Sequence, residues 1–282
     1  MSFYISLSGL KAAQTDLSTI ANNVANVNST GFKKSKANFG DIFSAAPMQT
    51  TTQVSGQGTR TIGIQQQYTQ GTVESTDKTL DLAITGEGFF TVKGAGTGGS
   101  VSYTRNGAFS ITEDRNVVDT TGKHLQVLPV DPTTGAITGS TAADLQDLTV
   151  PLFKPDATTG APTTVQLESL AVGDDGLVSA TWADGTTSPL GNLALATFAS
   201  QDSLRQQGDA HWTSTLQSGA ASYGAGNEGS YGAVRSGSLE RSNVDITEEL
   251  VALISAQRNF QANAKAIETA SAITQTVVNI RT

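Results

Sequence analysis

Two series of apolar residues, one at each end of the chain, recur at alternating spacings of three and four. Near the start they are Leu10, Ala13, Leu17, Ile20, Val24 and Val27, with Phe3 one heptad earlier. Near the end they are Leu250, Leu253, Phe260, Ala264 and Ile267, with the polar Gln257 standing at the seam position between Leu253 and Phe260, drifting to Ala270, Ile273, Val277 and Ile280. Such a repeat is a heptad seam, narrower than the apolar face of an ordinary surface helix and shaped for a partner helix. The spacing predicts a helix over about residues 3–28, closed by Asn28-Ser29-Thr30-Gly31, whose Asn and Gly tolerate a left-handed backbone. A second helix is expected from Asp245, where Asp245 and Glu248 read as a capping box, to about Ile280, with neither Gly nor Pro inside it. Periodicity leaves two arrangements open. The seams pack on each other within one chain, or they polymerise with neighbouring copies.

Between the ends the pattern changes. Short apolar and β-branched segments at 62–68, 80–84, 89–92, 117–118, 148–153, 177–182 and 193–198 are punctuated by Gly86-Glu87-Gly88, Asn106-Gly107, Asp131-Pro132 and Asp184-Gly185. This predicts an antiparallel β-domain with tight turns, and polar surface loops at 94–100, 133–141 and 157–164. The expected class is α+β: a helical core layer from 1–30 and 243–282, an extended linker over 31–79, and a β-rich outer domain over 80–242. Charge follows the same division. Of the net −8, residues 1–40 carry +3 and residues 243–282 carry −1, so the middle carries −10.

Site chemistry is sparse. With no cysteine there is no disulfide scaffold or thiolate metal site, and two histidines leave little for an imidazole centre. The acidic balance argues against nucleic acid, which needs clustered Lys and Arg. No apolar run nears the ~18–20 residues that span a bilayer, and with Lys11 the first basic residue the charged start of a secretory signal is missing. Gly94, Gly96 and Gly99 match a dinucleotide fingerprint in letters only, because strand-like Val101-Ser102-Tyr103-Thr104 follows where a helix is required. Glu113-Asp114, Asp174-Asp175 and Glu248-Glu249 read as solvated turns rather than paired catalytic carboxylates, and no EF-hand ligand pattern surrounds Asp174-Asp175-Gly176. His124 and His211 lack a carboxylate or second histidine at ligand spacing. Trp182, Trp212, Tyr103 and Tyr223 are too scattered in sequence for a carbohydrate platform. No catalytic, cofactor-binding or metal-ligating residue emerges.

Several strings together resemble one family. Ala21-Asn22-Asn23-Val24-Ala25-Asn26-Val27-Asn28-Ser29-Thr30-Gly31-Phe32-Lys33, with Ser8-Gly9-Leu10-Lys11-Ala12-Ala13 before it and Ala37-Asn38-Phe39-Gly40-Asp41-Ile42-Phe43 after it, resembles the bacterial flagellar rod and hook proteins. So do Leu80-Asp81-Leu82-Ala83-Ile84, Gly88-Phe89-Phe90, Tyr103-Thr104-Arg105-Asn106-Gly107-Ala108-Phe109, Gly237 to Asp245 with Ser242-Asn243, and Ala256-Gln257-Arg258-Asn259-Phe260-Gln261-Ala262-Asn263. Asn22, Asn23, Asn26, Gly31, Phe32, Ser242, Asn243, Gln257 and Arg258 carry the motif. The resemblance implies a structural subunit whose terminal helices pair as a coiled-coil layer lining an export channel. It shifts the reading of Leu10, Ala13, Leu17, Ile20, Val24, Val27, Leu250, Leu253, Phe260, Ala264, Ile267, Ile273 and Val277 toward a polymerisation seam. It also implies partners among copies of the chain, neighbouring axial proteins (distal rod, hook–filament junction, hook cap) and the type III export apparatus, with neither nucleic acid nor membrane, and export without a cleaved signal. Met1-Ser2-Phe3, the 37–43 string, Asn106-Gly107 and Arg115-Asn116-Val117-Val118 stand closer to hook members, as a compact form. The length stands closer to a distal rod subunit. A monomeric carbohydrate-binding β-domain is the alternative of another class.

Overall fold

A computed structural model describes residues 2–43, 56–96, 98–132, 134–155 and 162–280. The chain divides into two compact units. The first comprises Met1–Val27, Lys33–Gln67 and Val244–Thr282; the second comprises Asn28–Phe32 and Tyr68–Asn243.

The first unit holds helix α1 (Ser2–Ala25), strands β1 (Ser35–Phe43) and β2 (Gly56–Gln66), and helix α2 (Ile246–Ile280). α1 stops about three residues before the expected end. The Asn26 N–H is shared between the carbonyls of Asn22 and Asn23, and the Asn26 side-chain amide also donates to the Asn22 carbonyl. Short amide side chains competing for backbone groups in this way unwind a last turn. α2 starts where the cap was expected: Asp245 Oδ1 accepts the N–H groups of Thr247 (2.7 Å) and Glu248 (3.2 Å). The Glu248 carboxylate, however, pairs with Lys34 at 3.1 Å.

Within the stretch expected as a linker, β1 and β2 form an antiparallel hairpin running from Ser35↔Gln66 to Phe43↔Gly56, with a register shift at Asn38/Phe39. It packs on α1, where the Thr59 N–H donates to Ser8 Oγ at 3.1 Å. α2 lies along α1 in the opposite direction. Asn23 near the end of α1 meets Glu249 near the start of α2, while a Cβ on Gly9 would come within 2.6 Å of Asn263 Oδ1.

The second unit is built on one large sheet. Its main path runs 153–155, 162–172, 177–182, 187–193, 124–128, 89–93, 101–104, 211–213 and 205–208, every pair antiparallel. Asp184-Gly185 turns tightly as expected, with Gly185 at φ +76° and its N–H on the Trp182 carbonyl. Asn106-Gly107 does not close a hairpin. Strand 101–104 pairs elsewhere, and Gly107 is needed because any Cβ there would overlap the Leu82 carbonyl. The apolar run 148–153 is not a strand over its first residues. Its Leu148 and Val150 N–H groups go to the carbonyls of Leu125 and Arg115, so it bridges two segments. Of the loop expected at 157–164, residues 157–161 lie outside the described ones and 162–164 begin a strand.

Both apolar clusters among the described buried residues lie in this unit. One gathers Leu82, Ile84, Phe90, Val92, Leu125, Leu193 and Leu195 with their neighbours. The other gathers Phe89, Tyr103, Phe198, Leu204 and Trp212, with Tyr68 and Tyr223 against it. Aromatic residues scattered in sequence therefore converge. They do so in edge-on contacts inside a core, such as Tyr103–Phe198 at 4.8 Å between ring centres, and not on an exposed platform.

Candidate functional site

The heptad residues of the first unit divide by exposure. On α1, Ala13 and Ile20 are buried and Leu10, Leu17 and Val24 are half-buried, as is Val27 just past the helix end. On α2, Leu253, Phe260, Ala264 and Ile267 are half-buried, whereas Leu250 and Ile273 are exposed; the Val277 side chain lies outside the described residues. The deepest positions on the inner side of α2 are Glu249 and Ala256, each one residue from the expected Leu250 and Gln257. A helix advances 100° per residue, so the inner line there is small and polar and the larger apolar side chains flank it. Of the motif residues on these helices, Asn22, Gln257 and Arg258 face solvent.

Glu248-Glu249 is not a solvated turn. Glu249 is 2% exposed and pairs with Lys34 Nζ at 2.8 Å, and it accepts the Asn23 amide at 3.1 Å. Asn23 also bonds Ser35 in both senses: its Nδ2 donates to the Ser35 carbonyl (2.8 Å) and its Oδ1 accepts the Ser35 N–H (2.9 Å). One asparagine thus imitates a strand partner for β1 while reaching α2. The Lys34 carbonyl in turn accepts the Gln67 N–H. These groups border a cavity of about 220 Å³, with Asp16 on its wall. Burial first, and the Glu249 charge second, push the Asp16 carboxyl above its ordinary pKa.

In the second unit a deeper polar knot joins residues far apart in the chain. Glu240 is fully buried. Its Oε2 pairs with Arg105 Nη1 at 3.3 Å, its Oε1 accepts the Gly71 N–H at 2.9 Å, and its carbonyl accepts the Gly31 N–H at 2.8 Å. Arg105 Nη2 donates to the Gly86 carbonyl at 2.9 Å, and the guanidinium lies over the Phe89 ring. Gly31, at φ +70°, sits so close that a Cβ would come within 2.5 Å of the Asn106 nitrogen. Phe32 and Ser242 are buried, and Asn243 Nδ2 donates to the Thr69 carbonyl and hydroxyl. Arg105 and Glu240 stand in the strings that carry the family resemblance, but no local spacing joins residues 135 apart. The only sequence signal was a charge set within a strand-like, small-residue context.

Each histidine has a carboxylate partner from a distant segment, which sequence spacing could not supply. His211 Nε2 lies 2.7 Å from Asp119 Oδ2, and His124 Nδ1 lies 2.8 Å from Asp147 Oδ2. The His211 Nδ1 is engaged with the Asp209 carbonyl at 2.8 Å, so neither ring nitrogen is open to a substrate. Among the described residues no group of three His, Asp or Glu could hold a metal ion, and no helix is long and apolar enough to cross a membrane.

Three family models match: flagella basal body rod protein over residues 3–33, flagellar hook protein FlgE/F/G D1 domain over 83–180, and flagellar basal body rod FlgEFG protein C-terminal over 235–280. The flagellar basal-body rod protein FlgG of Bacillus subtilis is 35% identical over 293 residues, which cover 99% of this chain and 98% of that one. The chain belongs to the flagellar rod and hook family. FlgG of Agrobacterium fabrum is 34% identical, covering 94% of each chain. The flagellar hook protein FlgE of Escherichia coli is 28% identical and aligned across the whole of both chains, over 411 positions against 282 residues here. Well over a hundred positions of that hook protein thus have no counterpart in this rod/hook chain. Gly31, Arg105 and Glu240 fall one in each of the three matched stretches, so the knot ties together the parts by which the family is recognised.

Proposed function

We propose that this chain is a compact subunit of the flagellar hook, a helical tube of identical copies that bends while it transmits torque from rod to filament. The observation that carries an assembling role is the placement of bare apolar surface. Of the large apolar side chains exposed among the described residues, all but Ile111, Leu152 and Leu216 belong to the first unit. They include Phe3, Tyr4 and Ile5 on α1, and Leu250, Val251, Ile254, Ile273, Val278 and Ile280 on α2. At about 25 cal/mol per Å² such side chains favour burial against neighbouring copies. A head-to-tail contact whose rotation does not close generates an open filament. In this reading Leu10, Leu17, Val24, Leu250, Phe260, Ile267, Ile273 and Val277 serve subunit contacts, with neighbouring axial proteins and the export apparatus as further partners. The chain acts in the flagellum and performs no catalysis. The acidic, Thr- and Gly-rich second unit supplies wet, rearrangeable outer contacts.

The hook assignment rests on the strings at 1–3, 37–43, 106–107 and 115–118. A distal rod subunit is the second reading, favoured by the near-equal length and higher identity of the FlgG relatives. Deleting the gene separates them: a complete rod lacking a hook supports the first, and a truncated rod supports the second. Phe260→Asp or Leu17→Asp is expected to abolish tubes in electron micrographs while leaving the β-rich unit folded. Normal tubes from both variants would refute the assembling role of these seams.

A further inference from the structure

A heptad pattern leaves one question unanswered within a single chain. It permits helices to pair in several registers, each one heptad apart, because an apolar side chain replaces another after every slip. The inner row of α1 reads Gly9, Asp16, Asn23, and that of α2 reads Glu249, Ala256, Asn263, both spaced by seven. In the observed pairing Asn23 meets Glu249 and Gly9 meets Asn263. The apolar members beside them keep apolar neighbours after either slip: Ala13 meets Leu253 or Ile267, and Ile20 meets Ile246 or Phe260. They do not discriminate.

The polar members do. A slip one way sets Asn23 opposite Ala256 and carries Glu249 beyond the Asn23 amide, leaving a carboxylate without its hydrogen bond. A slip the other way brings Glu249 opposite Asp16, carboxylate against carboxylate. Glu249 is also tied to Lys34 at 2.8 Å, and Asn23 to both backbone groups of Ser35, so the observed register is fixed to β1 as well. Taking one partner from a buried, hydrogen-bonded charge is strongly unfavourable, and fixing register is the best-attested use of such groups.

We infer that the Asn23–Glu249 contact, braced by Lys34 and Ser35, is the specificity element that selects one register of the α1–α2 pair, with Asp16 excluding the alternative. The assignment goes beyond the hook reading and holds equally for a rod subunit. It concerns pairing within one chain, so it fails independently of any result on tubes.

The chain contains no cysteine, so introduced pairs are unique. Ala13 and Asn259 flank one cavity in the observed register. A one-heptad slip moves α2 by about 10.5 Å, beyond the ~7 Å Cα separation that a disulfide tolerates. Ala13→Cys is therefore combined, in the 282-residue chain, with Asn259→Cys, with Ala252→Cys or with Ala266→Cys. Intramolecular disulfides are separated from multimers by gel mobility. Without further change only the 13/259 pair is expected to close. The decisive background is the double variant Asn23→Leu, Glu249→Leu, which exchanges the polar contact for an apolar one and keeps the helices able to dock. There the 13/252 and 13/266 pairs are expected to close to an extent comparable with 13/259. Exclusive closure of 13/259 in that background overturns the assignment. So does loss of all three products, which would make the contact one of stability and not of register. Asp16→Ala is added instead to the single variant Asn23→Leu, which keeps the Glu249 carboxylate; there it is expected to raise the 13/252 product selectively, and an unchanged ratio would remove Asp16 from the proposal.

Discussion

The two units bury polar groups in different company. In the second, Arg105 and Glu240 are buried and paired with each other, the guanidinium lies over Phe89 of the aromatic cluster, and each side chain makes a further bond to a backbone group, Gly86 for Arg105 and Gly71 for Glu240. In the first, the inner line between the helices is small and polar, the larger apolar side chains lie at its flanks or in the open, and burial first and the Glu249 charge second disfavour the ionised Asp16 carboxyl. A self-sufficient core can afford a buried ion pair because packing supplies the stability. A helical unit with bare flanks is unfinished by itself, and this is what an assembling element requires. The contrast is measurable, because both tryptophans, Trp182 and Trp212, lie in the second unit and both long helices lie in the first. Tryptophan fluorescence follows one unit and helical circular dichroism the other.

The largest effect is expected at the knot. Arg105→Ala leaves the Glu240 carboxylate buried without its cation, at a cost of about 3–5 kcal/mol. Urea unfolding followed by fluorescence should shift by that amount. A loss below about 1 kcal/mol would mean that the pair is dispensable, and that the second unit is not distinguished by compensated charge.

Next is the buried Asp119. Burial alone would raise its pKa, but the hydrogen bonds from His211, from the Thr121 hydroxyl and from the Lys123 and Thr121 N–H groups outweigh it and hold it at about 2. A folded-state pKa below the ordinary value near 4 means that the stabilisation is complete above pH ~4. It is lost as pH falls toward 2, and amounts to roughly 2 kcal/mol. Asp119→Asn should flatten the fluorescence-detected stability over that acid range. An unaltered acid limb would show that other carboxylates govern it.

These two predictions concern residues that sequence reading handled least well, for a physical reason. Periodicity is a local signal, so both long helices, the Asp245 cap, the 177–182 strand and the Asp184-Gly185 turn were legible from neighbouring letters. Which face of α2 turns inward was legible only to within one residue, since Leu250 and Glu249 differ by 100° and hydrophobicity favours the wrong one. Partners of a buried charge carry no local signature. Arg105 finds Glu240, and His211 finds Asp119, only after the sheet has brought distant segments together. The strings that carried the family resemblance did contain Gly31, Arg105 and Glu240, but as letters in order, without the bonds that explain them.

The smallest effect probes the first unit. The Asp16 pKa is raised by burial and then by Glu249, so the folded state binds its proton more readily than the unfolded chain does. The charged form therefore costs stability at neutral pH, and that cost disappears as pH falls through the folded-state pKa. The group is half-buried and water screens it, which keeps the effect small. Asp16→Asn is expected to raise the melting temperature of the helical signal at pH 7. The gain should shrink as pH falls through the raised pKa of the native carboxyl, and tryptophan fluorescence should not move. A lower melting temperature at pH 7 would mean that the carboxylate has a stabilising partner. The first unit would then resemble the second in pairing its buried charges, and the difference drawn between them would rest on exposed apolar surface alone.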